Sequence, residues 1–157
     1  MPREYPAHPL IGVGAVVVRG ASVLLIRRGH PPRQGEWSLP GGLQEVGETV
    51  FEAAAREVME EAGVAIRALA VVDVVDLIER DPGSSRIRYH YTLIDVLAAW
   101  TGGEPAAAGD ADAAMWAAER EVAGLVRWSE TARIVGRACR MYEALVAEAA
   151  APGRSSS

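Results

Sequence analysis

The stretch from Gly42 to Val64 constrains this chain more than any other. Its second part carries the apolar period of an amphipathic helix. At ~100° per residue, Glu57, Glu60 and Glu61 stand at i, i+3 and i+4 and share one face. Carboxylates packed that closely repel one another. The arrangement is tolerable under a hard cation, and Mg²⁺ and Mn²⁺ prefer oxygen ligands. Phe51, Ala55, Val58 and Ala62 occupy the other side of the same helix, which suits packing on a sheet.

Both ends of this helix are marked locally. Thr49 with Glu52 three residues on is a capping box. Gly63 follows the last periodic residue and suits a left-handed C′ position. The pattern predicts a helix over 50–62. Arg56 lies one turn before Glu60 and is placed to hold that carboxylate. Gly41 and Gly42 leave the preceding backbone bare, so its carbonyls and amides can approach a metal or a phosphate. An ordinary salt-bridged surface helix would explain the glutamates but not the glycines.

The rest of the chain supplies a setting. Residues 1–9 hold three prolines and read as an irregular arm, and 151–157 read as a disordered tail. The 157 residues between and including them predict one domain over 10–150. Residues 10–18 are an apolar, β-branched run that reads as a buried strand, and Ser22–Arg28 as its hairpin partner. Gly12 and Gly14 in the first strand permit close approach of a ligand or a neighbouring backbone. Residues 29–36 form a loop, and Trp37–Leu39 a short strand leading to the glycines. After the helix, 65–80 reads as one or two strands interrupted at Asp73 and Asp76, paired across a turn with a strand over 86–100 on which Arg88, His90 and Thr92 share a face. Residues 101–114 are loop-like and carry Glu104, Asp110 and Asp112. A short strand over 115–118, a turn or two of helix over 119–125 and a helix capped by Ser129 and running to Glu148 complete the order. Its buried side is predicted to be Ile134, Ala138, Met141, Tyr142 and Leu145. Helices on opposite faces of a mixed sheet satisfy this order.

Composition excludes some classes. The net charge is −5 and no Lys/Arg run forms a phosphate-tracking patch, which argues against a nucleic-acid partner. All 16 basic residues are Arg. Cys139 stands alone, so no internal disulfide forms, and its helical context reads as a buried structural position. No apolar run approaches the ~20 residues of a membrane span. No signal pattern opens the chain, and a cytoplasmic protein is expected.

Gly42, Glu48, Arg56-Glu57, apolar Val58, Glu60-Glu61, Gly63 and apolar Val64, at these spacings, resemble the complete Nudix box. Trp37-Ser38-Leu39-Pro40-Gly41-Gly42 resembles the lead-in of bacterial members. The resemblance implies an α/β fold, the Nudix-type α/β/α sandwich with a mixed β-sheet between helices. It implies a hydrolase in which divalent cations neutralise a diphosphate and water attacks phosphorus. Carried over by motif, Glu57, Glu60 and Glu61 are metal ligands for Mg²⁺, with Mn²⁺ able to substitute. A carbonyl of Gly41 or Gly42 adds a ligand, Arg56 orients the carboxylates and Glu48 faces the metal or supports its ligands. The catalytic set is Glu60, Glu61 and Arg56. The general base is Glu60 or Glu61, or an acid of the later loop, Glu104, Asp110 or Asp112. Arg28, Arg33, Trp37, Glu48 and Asp112 are candidates for substrate contact, as is His30.

The lead-in, the 86–100 strand and the segment before Trp116 resemble bacterial ADP-ribose pyrophosphatase-like members, so ADP-ribose or a nucleotide sugar is the expected small-molecule substrate. Two alternatives stand beside it: a house-cleaning (d)NTP pyrophosphohydrolase, and a non-catalytic nucleotide-sensing domain, for which degenerate box carboxylates would be expected. Related enzymes are often dimers, an analogy that extends to a homodimer here.

Overall fold

The apolar run near the N-terminus is strand β1 (Leu10–Arg19), and its side chains divide the molecule into layers. In the computed structural model, which describes residues 2–153, Val13, Ala15 and Val17 enter one core while Val16 and Val18 enter another. A strand buried on both faces has no polar side, which is why the run lacks alternation. Strand β2 (Ser22–Arg28) divides the same way, with Leu24 and Ile26 in the first core and Val23 and Leu25 in the second.

The chain continues through β3 (Trp37–Ser38), β4 (Gly41–Leu43), helix α1 (Val50–Ala62), β5 (Ala65–Arg80), β6 (Ile87–Gly102), β7 (Ala111–Ala118), α2 (Glu119–Leu125) and α3 (Ser129–Ala150). The strands form one seven-stranded sheet in the order β3-β2-β1-β6-β5, with β4 added to β1 and β7 to β2. β1 and β6 run parallel from Leu10↔Tyr91 to Val18↔Ala99, whereas the β5–β6 and β1–β2 pairs are antiparallel, so the sheet is mixed. Helix α1 covers the first core through Ala53, Ala54, Val58 and Ala62. Helix α3 covers the second through Ile134, Val135 and Ala138, joined by Val122 of α2. This is an α/β/α sandwich.

One feature of the pairing opens the site. β1 meets β2 at Val18↔Val23 and Arg19↔Ser22, and lower down β4 takes its place, at Gly12↔Leu43, Val13↔Gly42 and Gly14↔Gly41. β2 meanwhile pairs with β3 at Ile26↔Ser38. The sheet therefore parts like a wedge below Val18.

Several expected details change. The glycines at 41–42 belong to a strand, because bare backbone lets β4 press against β1. β5 is a single strand through Asp73 and Asp76, although its register with β6 shifts between Val71 and Asp73; Asp73 is held by Arg133 at 3.0 Å instead of ending the strand. β7 begins at Ala111 rather than Met115, since pairing with β2 extends to Arg28. Ser129 is the first residue of α3 and Trp128 is its N-cap, with no side-chain cap bond. Phe51 and Leu145 are exposed; α1 instead buries Ala53, Ala54, Val58, Glu61 and Ala62, and α3 buries only its first half, from Thr131 to Cys139. Of the expected tail, 154–157 lie outside the described residues. The arm packs along the β5–β6 hairpin: the Tyr5 amide donates to the Arg88 carbonyl (2.8 Å) and the Tyr89 hydroxyl to Glu4 (2.9 Å). Among the described residues no helix is long and apolar enough to cross a membrane.

Candidate active site

Helix α1 is positioned at both ends by its own sequence. The Thr49 hydroxyl accepts from the Glu52 amide, the Thr49 amide donates to the Glu52 carboxylate, and Gly63 is left-handed at φ 67°. This fixes the direction in which its acids project. Arg56 then organises them. Its Nε and Nη2 donate to the two oxygens of Glu48 at 2.9 and 2.6 Å, a bidentate pair. Nη1 donates to Glu57 at 2.8 Å and Glu60 at 3.2 Å, and Nη2 also to the Leu43 carbonyl at 3.0 Å. The guanidinium lowers the Glu48 carboxyl to about 2, and the same contact raises Arg56 itself.

The three helix acids differ in environment. Glu61 is 5% exposed, Glu57 is half-buried and Glu60 is exposed. Burial pushes the Glu61 carboxyl up to about 7, against the pull of the Gly41 amide that donates to it at 2.8 Å. Burial also raises Glu57, with Arg56 opposing. Gly42 has no room for a Cβ, which would meet the Glu57 carboxylate, and a Cβ on Gly41 would meet the Val13 carbonyl of β1. Two carboxylates are thus seated directly on the Gly41–Gly42 backbone.

Among the described residues no three acidic, His or Cys side chains already converge as a metal cage. Arg56 and the Gly41 amide hold one oxygen of each acid. Glu57 Oε2, Glu60 Oε1 and Glu61 Oε2 receive no hydrogen bond among the described residues. A hard donor set of this kind, against bare backbone, fits a divalent cation.

Glu57 and Glu61 line a cavity in the wedge, of ≈ 1180 Å³ counting its open side, whereas Glu60 and Arg56 are outside its lining. Arg28, Arg33, Gly41, Gly42, Glu57 and Glu61 line it. Burial lowers the Arg28 guanidinium, which donates to the Pro32 carbonyl at 2.7 Å. Glu48 is instead spent on Arg56. Trp37 packs against the α3-side core, with the Arg27 guanidinium 6.0 Å from its ring. Asp112 is exposed on β7 and is not in the cavity lining, whereas its neighbour Asp110 is, paired with His30 at 3.1 Å. Glu104 pairs with Arg19 at 2.8 Å, away from the wedge. His90 lies on the opposite face of β6 from the cavity-lining Tyr91, as the period of two requires.

Comparison with known proteins places this geometry. A family model described as the NUDIX domain matches residues 8–137. The chain belongs to the Nudix family. An ADP-ribose pyrophosphatase of Methanocaldococcus jannaschii is 36% identical over 104 residues, 66% of this chain and 59% of that protein. An 8-oxo-dGDP phosphatase of Mus musculus is 38% identical over 90 residues, 57% of this chain and 25% of that protein. The chain therefore spans less than two thirds of the length of either relative. A solved MutT NUDIX hydrolase from Burkholderia pseudomallei superposes with a TM-score of 0.63 at 36% identity, covering 72% of this chain and 85% of that one.

The Nudix box does not include everything the wedge gathers. Asp95, Tyr91 and Leu93 of β6, Thr131 of α3 and Arg3 of the arm also line the cavity. Asp95 is 7% exposed, and burial, with the Asp73 charge adding to it, raises its carboxyl to about 6. One signal pointed towards these residues. Gly12 and Gly14 stand opposite Leu93 and Asp95 in the β1–β6 register, so the side chains on β6 lean over the glycines.

Proposed function

We propose that the chain hydrolyses the diphosphate linkage of a nucleoside diphosphate derivative, with ADP-ribose or a nucleotide sugar as the substrate. The observation that carries this is the seating of Glu57 and Glu61 on the Gly41–Gly42 backbone, with Arg56 behind them, in the lining of an open cavity. Glu57, Glu60 and Glu61, with a carbonyl of Gly41 or Gly42, would hold Mg²⁺ or Mn²⁺. When bound, such a cation supplies charge neutralisation of the diphosphate and a lowered pKa for water. Arg56 keeps the acids aimed, and Arg28, close enough to Glu61 for the two charges to act on each other, offers positive charge in the cavity. Asp110 is the loop acid best suited to take a proton, since it lines the cavity and its charge acts on Glu57 and Glu61. The Methanocaldococcus relative supports ADP-ribose; the mouse relative supports an oxidised nucleotide as a second reading.

A hydrolysis panel of ADP-ribose, nucleotide sugars and (d)NTPs with Mg²⁺, read by product analysis, tests the proposal. Expected products from ADP-ribose are AMP and ribose 5-phosphate. Glu60→Gln and Glu61→Gln should lower kcat by orders of magnitude with an unchanged circular dichroism spectrum. Near-normal turnover in either variant would remove that residue from the site. No turnover of any panel member, with nucleotide binding intact, would point to a sensor.

A further inference from the structure

The cavity holds positive charge that the fold leaves unanswered. Arg3 of the N-terminal arm and Arg28 of β2 both line it. Their charges act on each other, a repulsion, and both act on Tyr91, which lines the same cavity. The three side chains therefore form one cluster. The arginine ion pairs among the described residues engage Arg19, Arg33, Arg56, Arg88 and Arg133, but neither Arg3 nor Arg28. Arg28 spends its Nε on the Pro32 carbonyl at 2.7 Å. Tyr91 is 6% exposed, and its hydroxyl has no hydrogen-bond partner among the described residues, although buried polar groups are ordinarily paired. Burial raises the phenol, so it keeps its proton at neutral pH.

The cluster is rich in donors. A guanidinium has no acceptor at all, and a protonated phenol can donate. Two like charges held together in a cavity are costly unless an anion joins them. Arginine forks match the oxygens of a phosphate. Glu61 is the acid whose charge acts most on Arg28, so the cluster adjoins the carboxylates that would hold the cation. The arm is fixed in a way that delivers Arg3 to this place. Directly after it, Glu4 accepts from the Tyr89 hydroxyl (2.9 Å), the Tyr5 hydroxyl donates to Asp81 (2.9 Å), and the Arg86 guanidinium lies 3.8 Å from the Tyr5 ring. Leu10, at the start of β1, stands opposite Tyr91 in the β1–β6 register. These contacts anchor the arm without using the Arg3 guanidinium.

We propose that Arg3 is a substrate-binding residue, which with Arg28 and the Tyr91 hydroxyl holds a phosphate group of the substrate and makes the N-terminal arm part of the site. This rests on the reading that the substrate carries a diphosphate.

The test is calorimetric binding of α,β-methylene ADP in the presence of Mg²⁺. Carbon replaces the bridging oxygen of this diphosphate, so it is not cleaved there and binding is read without turnover. Arg3→Ala should weaken binding by about 10-fold or more, as expected for hydrogen bonds to a charged group. Arg3→Lys, which keeps the charge and loses the fork, should fall in between. Tyr91→Phe should weaken it by several-fold, the loss of one hydrogen bond. A role in the fold would show in melts without nucleotide. Arg3→Ala removes a like-charged neighbour of Arg28, and Tyr91→Phe removes an unpartnered buried hydroxyl, so both should melt at or above wild type. Arg3→Ala binding within about twofold of wild type overturns the proposal, because a charged contact is worth more than that. A wild type with no affinity for the probe, or a lowered nucleotide-free Tm in Arg3→Ala, overturns it too. Failure of the substrate reading looks different: ADP-ribose and the nucleotide sugars are not hydrolysed, while the probe binds wild type and is weakened in the variants.

Discussion

Glu48 and Asp95 are carboxylates moved in opposite directions, and the difference is the partner. Glu48 has the Arg56 guanidinium on both oxygens and is lowered to about 2; Asp95 has burial without a donor and is raised to about 6. For Asp95 the consequence is a pH-dependent stability penalty. Its unfolded carboxyl titrates near ~3.9, so below that pH the folded and unfolded states are both neutral there and nothing is lost. As pH rises through the window up to about 6, the unfolded chain sheds its proton more readily than the folded one, and stability falls. Asp95→Asn removes the group that titrates. Urea denaturation should show the variant and wild type nearly equal at pH 4, with the variant gaining as pH rises and levelling above pH 7, by an amount on the order of 2 kcal/mol. A constant difference across that range would contradict the account. Residue chemistry of this kind was partly legible in the sequence. Arg56 and Glu60 are one helical turn apart, and their contact follows from period alone. Glu48 meets Arg56 only because the chain turns back at 45–48, where the Glu48 amide donates to the Glu45 carbonyl. Asp95 was invisible because its neighbour Gly14 is supplied by strand pairing across more than eighty residues of chain.

At the scale of elements, α1 was readable nearly to the residue, since its cap, its stop and its apolar stripe are all local signals. Its neighbour β4 was not. A three-residue strand has no period to detect, and its pairing with β1 depends on glycines whose role is clearance. The two glycines separate stability from function. A Cβ on Gly41 would meet backbone, the carbonyl of Val13 and the Cα of Gly14, neither of which can move without parting β4 from β1. A Cβ on Gly42 would meet the end of the flexible Glu57 side chain, which can swing aside. Gly41→Ala should therefore lower Tm and soluble yield. Gly42→Ala should melt close to wild type, yet lose about 10–100-fold in kcat/KM or divalent-cation affinity, the range seen when a ligand loses its support. Thermal melts and hydrolysis rates on the pair of variants check this, and a Gly42→Ala protein with full activity would show that Glu57 does not need its present seat.

For the molecule as a whole, the wedge is where stability is given up. β6 pairs with β1 from Leu10 to Val18, but along the other edge β2 gives way to β4 below Val18, and Glu57 and Glu61 line the cavity that opens there. Glu61 occupies a core position of α1 beside Ala62, where an apolar residue would pack without a desolvation penalty. A cation that binds the folded state alone would offset this. At a concentration 100 times its Kd it stabilises by about 2.7 kcal/mol, which for a chain of this size is a rise in Tm of roughly 5–10 °C. Glu61→Gln keeps an acceptor for the Gly41 amide and removes the buried charge. Two melting curves for each protein, in EDTA and in saturating Mg²⁺, should then cross over. Without the cation the variant should be as stable as wild type or more so. With Mg²⁺ wild type should gain several degrees and the variant little, leaving wild type the more stable. A variant that is weaker than wild type in EDTA would mean that Glu61 serves the fold, and an equal Mg²⁺ gain in both proteins would place the cation elsewhere on the chain.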